Sequence, residues 1–199
     1  MTVNMIVTGV GGQGNVMASQ VIGHAAVIKG KKVFIGETFG LSQRGGPVLS
    51  HVRVSDEETL GPLIPENQAD IILGLEPVET LRVLKEYGND DTVVITNNRP
   101  AFPINVIAGD AEYPEHDTLK HSLETHSKKL YWLNLTEDAI KLGNPILLNV
   151  LLLGAIANLD TCPISLADLK NGLEAVLPPK KLGLNLKALE IGFNRAKNY

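Results

Sequence analysis

The segment Gly9-Val10-Gly11-Gly12-Gln13-Gly14 constrains this chain more than any other. It stands between a short β-rich run, Met5-Ile6-Val7-Thr8, and a stretch in which Val16, Ser19, Gln20, Gly23 and Val27 keep helical spacing alongside Val21, Ala25 and Ile28. Glycines in that position permit positive φ and close backbone approach, and the helix that follows offers unpaired N–H groups to an anion. A strand, a glycine turn and a helix are predicted, with Gly9, Gly11, Gly12, Gln13 and Gly14 as candidate phosphate-binding residues. Lys29, Gly30, Lys31 and Lys32 end the helix, with cations near its C-terminus and a glycine to stop it, ahead of a second strand, Val33-Phe34-Ile35. The opening reads as a βαβ unit.

Further along, Val48 to Val54 alternates as a strand, with His51 and Arg53 on one face that reads as half-exposed and solvated. Ala69 to Leu75 and Thr92 to Thr96 are apolar runs flanking a helix from Pro77 to Tyr87, which Gly88-Asn89 closes. Tyr131 to Leu135 reads as another strand, and the rest is mostly helical with breaks at Gly143, Pro163 and Pro178-Pro179. The expectation is an α/β fold: one domain over residues 1–199, a Rossmann-like sheet flanked by helices, with a helical C-terminal extension from about 137 to 199. The charge-free run Leu142 to Leu159 contains Asn144, Pro145, Asn149, Gly154 and Asn158, short of the ~20 predominantly apolar residues that a bilayer span needs. It is expected as a helix buried in its own domain, and no membrane association is expected.

Composition narrows the chemistry. Lys and Arg total 18 against 22 Asp and Glu, a formal charge of -4, so no nucleic-acid partner is expected. The single Cys162 is too few thiolates for an iron–sulfur cluster or a structural zinc, so any redox metal is expected on another chain. Cys162 precedes a proline with no cation beside it and reads as inert. The N-terminus has no basic region ahead of its apolar run, which predicts a cytoplasmic protein. His116, His121 and His126 do not share a helical stripe and read as surface residues; Glu76 reads as a carboxylate compensating a helix N-terminus. No nucleophile–base pair stands out, so neither a catalytic residue nor a metal ligand is assigned.

A second glycine segment follows strand two. Arg44 lies between Gln43 and the Gly45-Gly46 pair, with Thr38 and Ser42 nearby. Arginine presents a planar fork for carboxylate or phosphate, and paired glycines let the backbone close around such a group, so Thr38, Ser42, Gln43, Arg44, Gly45 and Gly46 join the candidate binding residues. Two other readings remain open. The glycine turn satisfies G-x-G-x-x-G and Glu37 falls about 20 residues later, as in an NAD-binding oxidoreductase. Alternatively the loops are turns of a structural subunit and Arg44 makes an intersubunit salt bridge.

Taken together, Gly9 to Gly14, the run Gly36-Glu37-Thr38-Phe39-Gly40-Leu41-Ser42-Gln43-Arg44-Gly45-Gly46-Pro47 with Val48 to Arg53, and Asn149 to Ala155 resemble the gamma-type domain of the pyruvate:ferredoxin oxidoreductase superfamily. The resemblance is strongest to the beta subunits of the indolepyruvate type and spans nearly the whole chain. It implies a subunit with no tightly bound cofactor of its own, joined to a larger chain carrying thiamine diphosphate, magnesium and iron–sulfur clusters. The implied complex decarboxylates a 2-oxoacid oxidatively, with coenzyme A as acyl acceptor and ferredoxin as electron acceptor, and this chain is expected to be inactive alone.

Overall fold

A computed structural model describes residues 1–39, 46–56, 59–102 and 104–199. Six strands form one sheet in the order β2-β3-β1-β4-β5-β6. They are β1 (Thr2–Val10), β2 (Lys32–Phe39), β3 (Pro47–Ser55), β4 (Ile71–Gly74), β5 (Val93–Asn97) and β6 (Lys129–Leu133). β1, β4, β5 and β6 are parallel; β3 runs antiparallel to both β1 and β2. The opening βαβ unit exists, but its two parallel strands are not neighbours, because β3 is inserted between them. β6 begins and ends two residues earlier than its apolar run suggests, since Asn134 and Leu135 are already the entry to a helix.

The helices are α1 (Asn15–Ile28), α2 (Pro77–Tyr87), the single turn α3 (Ile104–Ile107), α4 (His116–Thr125), α5 (Leu135–Lys141), α6 (Leu148–Ile156), α7 (Leu166–Val176) and α8 (Pro179–Lys197). α2 starts and stops where its punctuation places it: the Glu76 side chain accepts from the Glu79 N–H at 2.8 Å, Pro77 fills the first turn, and Gly88 closes it. Ser165 and Asp168 cap α7 reciprocally.

Alternation along the strands sends side chains into two cores. Met5, Val7, Val52, Ile71, Leu73 and Ile95 face α1, α6, α7 and α8, whereas Ile6, Leu49, Ile72, Val94 and Trp132 face α2 and α4. The C-terminal helices thus extend the chain past the sheet and fold back over one face. α6 is buried along its whole length by this chain itself, as its all-round apolarity demands. Glycines allow the close approach: a Cβ on Gly154 would stand 1.9 Å from the Leu189 carbonyl oxygen, and one on Gly192 would stand 1.8 Å from that of Leu151. Across the fold Arg195 of α8 forks onto the buried Asp138 of α5 through two 2.8 Å bonds, which raise the guanidinium's pKa.

Candidate functional site

α1 leaves β1 on one face of the sheet and leads toward β2, while α2 leaves β4 on the other face and leads toward β5. The carboxyl ends of β1 and β4 therefore flank a topological switch point, where open α/β sheets bind ligands. The glycine turn lies there. Gly12 and Gly14 have φ of 100° and 88°, and Gly14 starts α1 with no side-chain cap, so the first N–H groups of a 14-residue helix point out of the turn. Gly14 is doubly required: besides its φ, a Cβ would lie 2.2 Å from Asn149 Nδ2, which donates to the Gly14 carbonyl at 3.2 Å. That contact ties the glycine turn to the start of α6.

Gln13 does not face outward. Its Oε1 accepts from the Val10 N–H at 2.8 Å and its Nε2 donates to the Leu75 carbonyl at 3.3 Å, so it bridges the carboxyl ends of β1 and β4 and fills the crevice between them. A Cβ on Gly9 would meet Gln13 Oε1 at 2.5 Å, which explains the glycine there. Gly9 and Gln13 thus build the turn, while Gly11, Gly12 and Gly14 present it. The Gly11 N–H donates to the Gly46 carbonyl at 2.8 Å, bringing the end of the second glycine segment onto the first. Thr38 is exposed near the end of β2, paired through Leu49 with Thr8 and so roughly 10 Å from that residue of β1 across two strand spacings. Ser42, Gln43, Arg44 and Gly45 lie outside the described residues.

The nicotinamide reading loses its second requirement here. Glu37 lies within β2 rather than after it, and its carboxylate accepts from Ser19 at 2.6 Å and Ser50 at 2.5 Å, so it is spent on joining α1 to the sheet. The strand face bearing His51 and Arg53 also differs from expectation. His51 is 2% exposed, accepts from the Ile64 N–H at 3.3 Å and packs edge-on against Tyr87; burial lowers its pKa, with Glu86 opposing and Arg53 adding to the shift. Arg53 bonds Asn4 and the carbonyls of Gly61 and Leu63. Alternation alone gave no sign that the segment after β3 folds back to cover this face. Glu76 does cap α2, and it also accepts from Tyr113 at 2.5 Å; burial raises its carboxyl despite those hydrogen bonds. His116 is a surface residue, stacked edge-on against Trp132. Burial pushes the Cys162 thiol up to about 11, so it is inert as expected.

Two clefts meet at Gly12. One, about 280 Å3, is lined by Val10, Gly11, Gly12, Gly14, Asn15, Val16 and Val48 and opens on the N-terminus of α1. Asn15, 3% exposed, donates to the Val48 carbonyl in its floor. The other, about 230 Å3, runs between Gly12 and Gln13 on one side, Asn97 and Arg99 to Ala101 beyond β5, and Pro145, Ile146 and Leu148 ahead of and in α6. Sequence reasoning missed this second cleft. Its only local signal is Asn97-Asn98-Arg99-Pro100 directly after a strand, on the sheet edge where ligands bind. No group of three potential metal-ligating side chains is gathered among the described residues.

The pyruvate ferredoxin/flavodoxin oxidoreductase family matches residues 4–195. The chain is 39% identical over 196 residues to indolepyruvate oxidoreductase subunit IorB of Archaeoglobus fulgidus, covering 98% of this chain and 96% of that one. Its fold resembles the gamma subunit of the keto/oxoacid ferredoxin oxidoreductase of Geobacter sulfurreducens (TM-score 0.70, 21% identity, 99% of both chains). It also resembles the 2-oxoglutarate:ferredoxin oxidoreductase of Magnetococcus marinus, solved with 2-oxoglutarate, coenzyme A and succinyl-CoA bound (TM-score 0.76, 21% identity, all of this chain and 31% of that one).

Proposed function

This chain belongs to the pyruvate ferredoxin/flavodoxin oxidoreductase family, and we propose from that membership that it is the small, cluster-free subunit of an indolepyruvate-type 2-oxoacid:ferredoxin oxidoreductase. The observation that carries the reading is the likeness to an indolepyruvate oxidoreductase subunit over nearly the full length of both chains. The complex converts an aryl 2-oxoacid and coenzyme A into carbon dioxide and an acyl-CoA, and passes the electrons to ferredoxin in the cytoplasm. Thiamine diphosphate, magnesium and iron–sulfur clusters on a larger partner subunit supply the decarboxylation and the electron path. With one cysteine, too few thiolates for a cluster of its own, this chain contributes binding instead.

Its own residues fit the phosphates of coenzyme A. The uncapped N-terminus of α1, opened by Gly12 and Gly14, directs backbone N–H groups into the 280 Å3 cleft, and the helix dipole favours an anion there. Gln13, by closing the crevice between β1 and β4, holds those donors in place before the ligand arrives. Arg44 adds a charged fork from the second segment. Coenzyme A in a solved relative of the same fold supports this choice of ligand.

The test is to assemble this chain with its large subunit and follow indolepyruvate- and coenzyme A-dependent ferredoxin reduction. Omitting the chain abolishes turnover, and Arg44→Ala raises the KM for coenzyme A while leaving that for the oxoacid unchanged. Equal turnover without the chain defeats the reading; unchanged coenzyme A kinetics in Arg44→Ala move that residue to the subunit interface.

A further inference from the structure

We infer that the cleft between Gly12 and Arg99 is a separate binding site for a small aryl or branched-chain carboxylate. The inference goes beyond the coenzyme A reading and does not depend on it. It rests on which polar groups in the cleft are still free. Asn97 is engaged at both ends of its amide: its Nδ2 donates to the Arg99 carbonyl at 3.1 Å, while its Oδ1 accepts at 3.2 Å from the N–H of Leu135, the N–H of Thr136 and the Thr136 hydroxyl. Those bonds also consume the Thr136 hydroxyl as a donor. Gln13 is held by Val10 and Leu75. Arg99 remains: the residue is exposed, it lines the cleft, and among the described residues its side chain forms no ion pair with a carboxylate.

A single guanidinium matches one carboxylate through two parallel hydrogen bonds. A phosphate, with more charge and more acceptors, is better served next door, where a helix N-terminus supplies several N–H donors. The remaining walls are apolar: Pro100, Ala101, Pro145, Ile146 and Leu148. Ile146 is 42% exposed, so the cleft carries apolar surface that a flat or branched hydrocarbon body would cover. Size is compatible with this, because about 230 Å3 is below the roughly 300–1,000 Å3 typical of drug-sized ligands and admits a small ring or a branched chain. Since both clefts include Gly12, a carboxylate held here lies beside the anion site at α1.

The experiment titrates the isotope-labelled full-length chain with phenylpyruvate, and separately with indole-3-acetate, inorganic phosphate and coenzyme A, following backbone amide shifts. Phenylpyruvate and indole-3-acetate are expected to shift the amides of residues 97–99, 101, 136 and 146–148 saturably, and Arg99→Met, a substitution at an exposed position, weakens their binding about tenfold or more, the effect of losing a charged hydrogen-bonded pair. The absence of saturable shifts, or equal affinity in Arg99→Met, overturns the site. Inorganic phosphate shifting the same amides as strongly overturns the carboxylate assignment, and coenzyme A displacing phenylpyruvate from them overturns the separation of the two clefts. Failure of coenzyme A to shift residues 11–16 is a separate result, which counts against the coenzyme A reading alone.

Discussion

His51 shows how a single side chain can be misplaced by strand alternation and still be explained by it. Its face of β3 is polar in sequence, yet the segment after β3 folds back over it, and the imidazole is buried with its Nδ1 accepting from Ile64. Acting as an acceptor requires the neutral ring, and burial lowers its pKa below the ordinary 6.5. Between that lowered value and 6.5 the unfolded chain binds more protons than the folded one, so stability rises with pH there and falls on acidification. A denaturant series from pH 7.5 to 5.5 is expected to show a loss of up to about 1.4 kcal/mol per pH unit below about 6.5 attributable to this residue. In His51→Gln that component of the slope disappears; an unchanged slope would mean that the ring binds protons alike in the folded and unfolded states. Gln13 teaches the complementary lesson. Its place in the glycine turn suggested a ligand contact, but both ends of its side chain are bound to backbone, which a motif cannot reveal because the partner, Leu75, is far away in sequence.

Among the elements, helix packing is set by a few glycines. Within α8, Gly192 presses on the backbone of Leu151, whereas Gly183 meets nothing within 4 Å. The same substitution therefore has opposite signs in one helix. Gly192→Ala forces backbone apart and costs about 1–3 kcal/mol as overpacking, or roughly 2–12 °C in Tm at this chain length. Gly183→Ala is exposed and gains about 0.5–1 kcal/mol from helix propensity. Thermal melts of the two variants decide it, and a stabilised Gly192→Ala would show that α6 and α8 do not pack this closely. Elements with local punctuation were legible in the sequence: Glu76-Pro77 and Gly88 bound α2, and the glycine turn marks the passage from β1 to α1. The insertion of β3 between β1 and β2 was not, because neither hydrophobic spacing nor turn chemistry encodes which strand pairs with which. For the same reason the glycine loop was visible and the Arg99 cleft was not: its walls come from three stretches that only the closed sheet brings together.

For the whole molecule, the distinction that matters is between a ligand-binding subunit and a purely structural one. A ligand that binds only the folded chain stabilises it by mass action, by about 2.7 kcal/mol at one hundred times its Kd. For a chain of 199 residues that is roughly 5–10 °C. Saturating coenzyme A is expected to raise the Tm of the isolated chain by that order, with a smaller rise in Gly14→Ala, where the added Cβ collides with Asn149 and distorts the start of α1. A melting temperature indifferent to coenzyme A would assign the glycine loops to assembly. The burial of α6 under α8 bears on a different stage of the protein's life. The ribosome makes α6, apolar on every side, before it makes α8, so the nascent chain carries a bare greasy segment until its cover has been synthesised. Throughout that interval the growing polypeptide exposes apolar surface of the kind that chaperones shield.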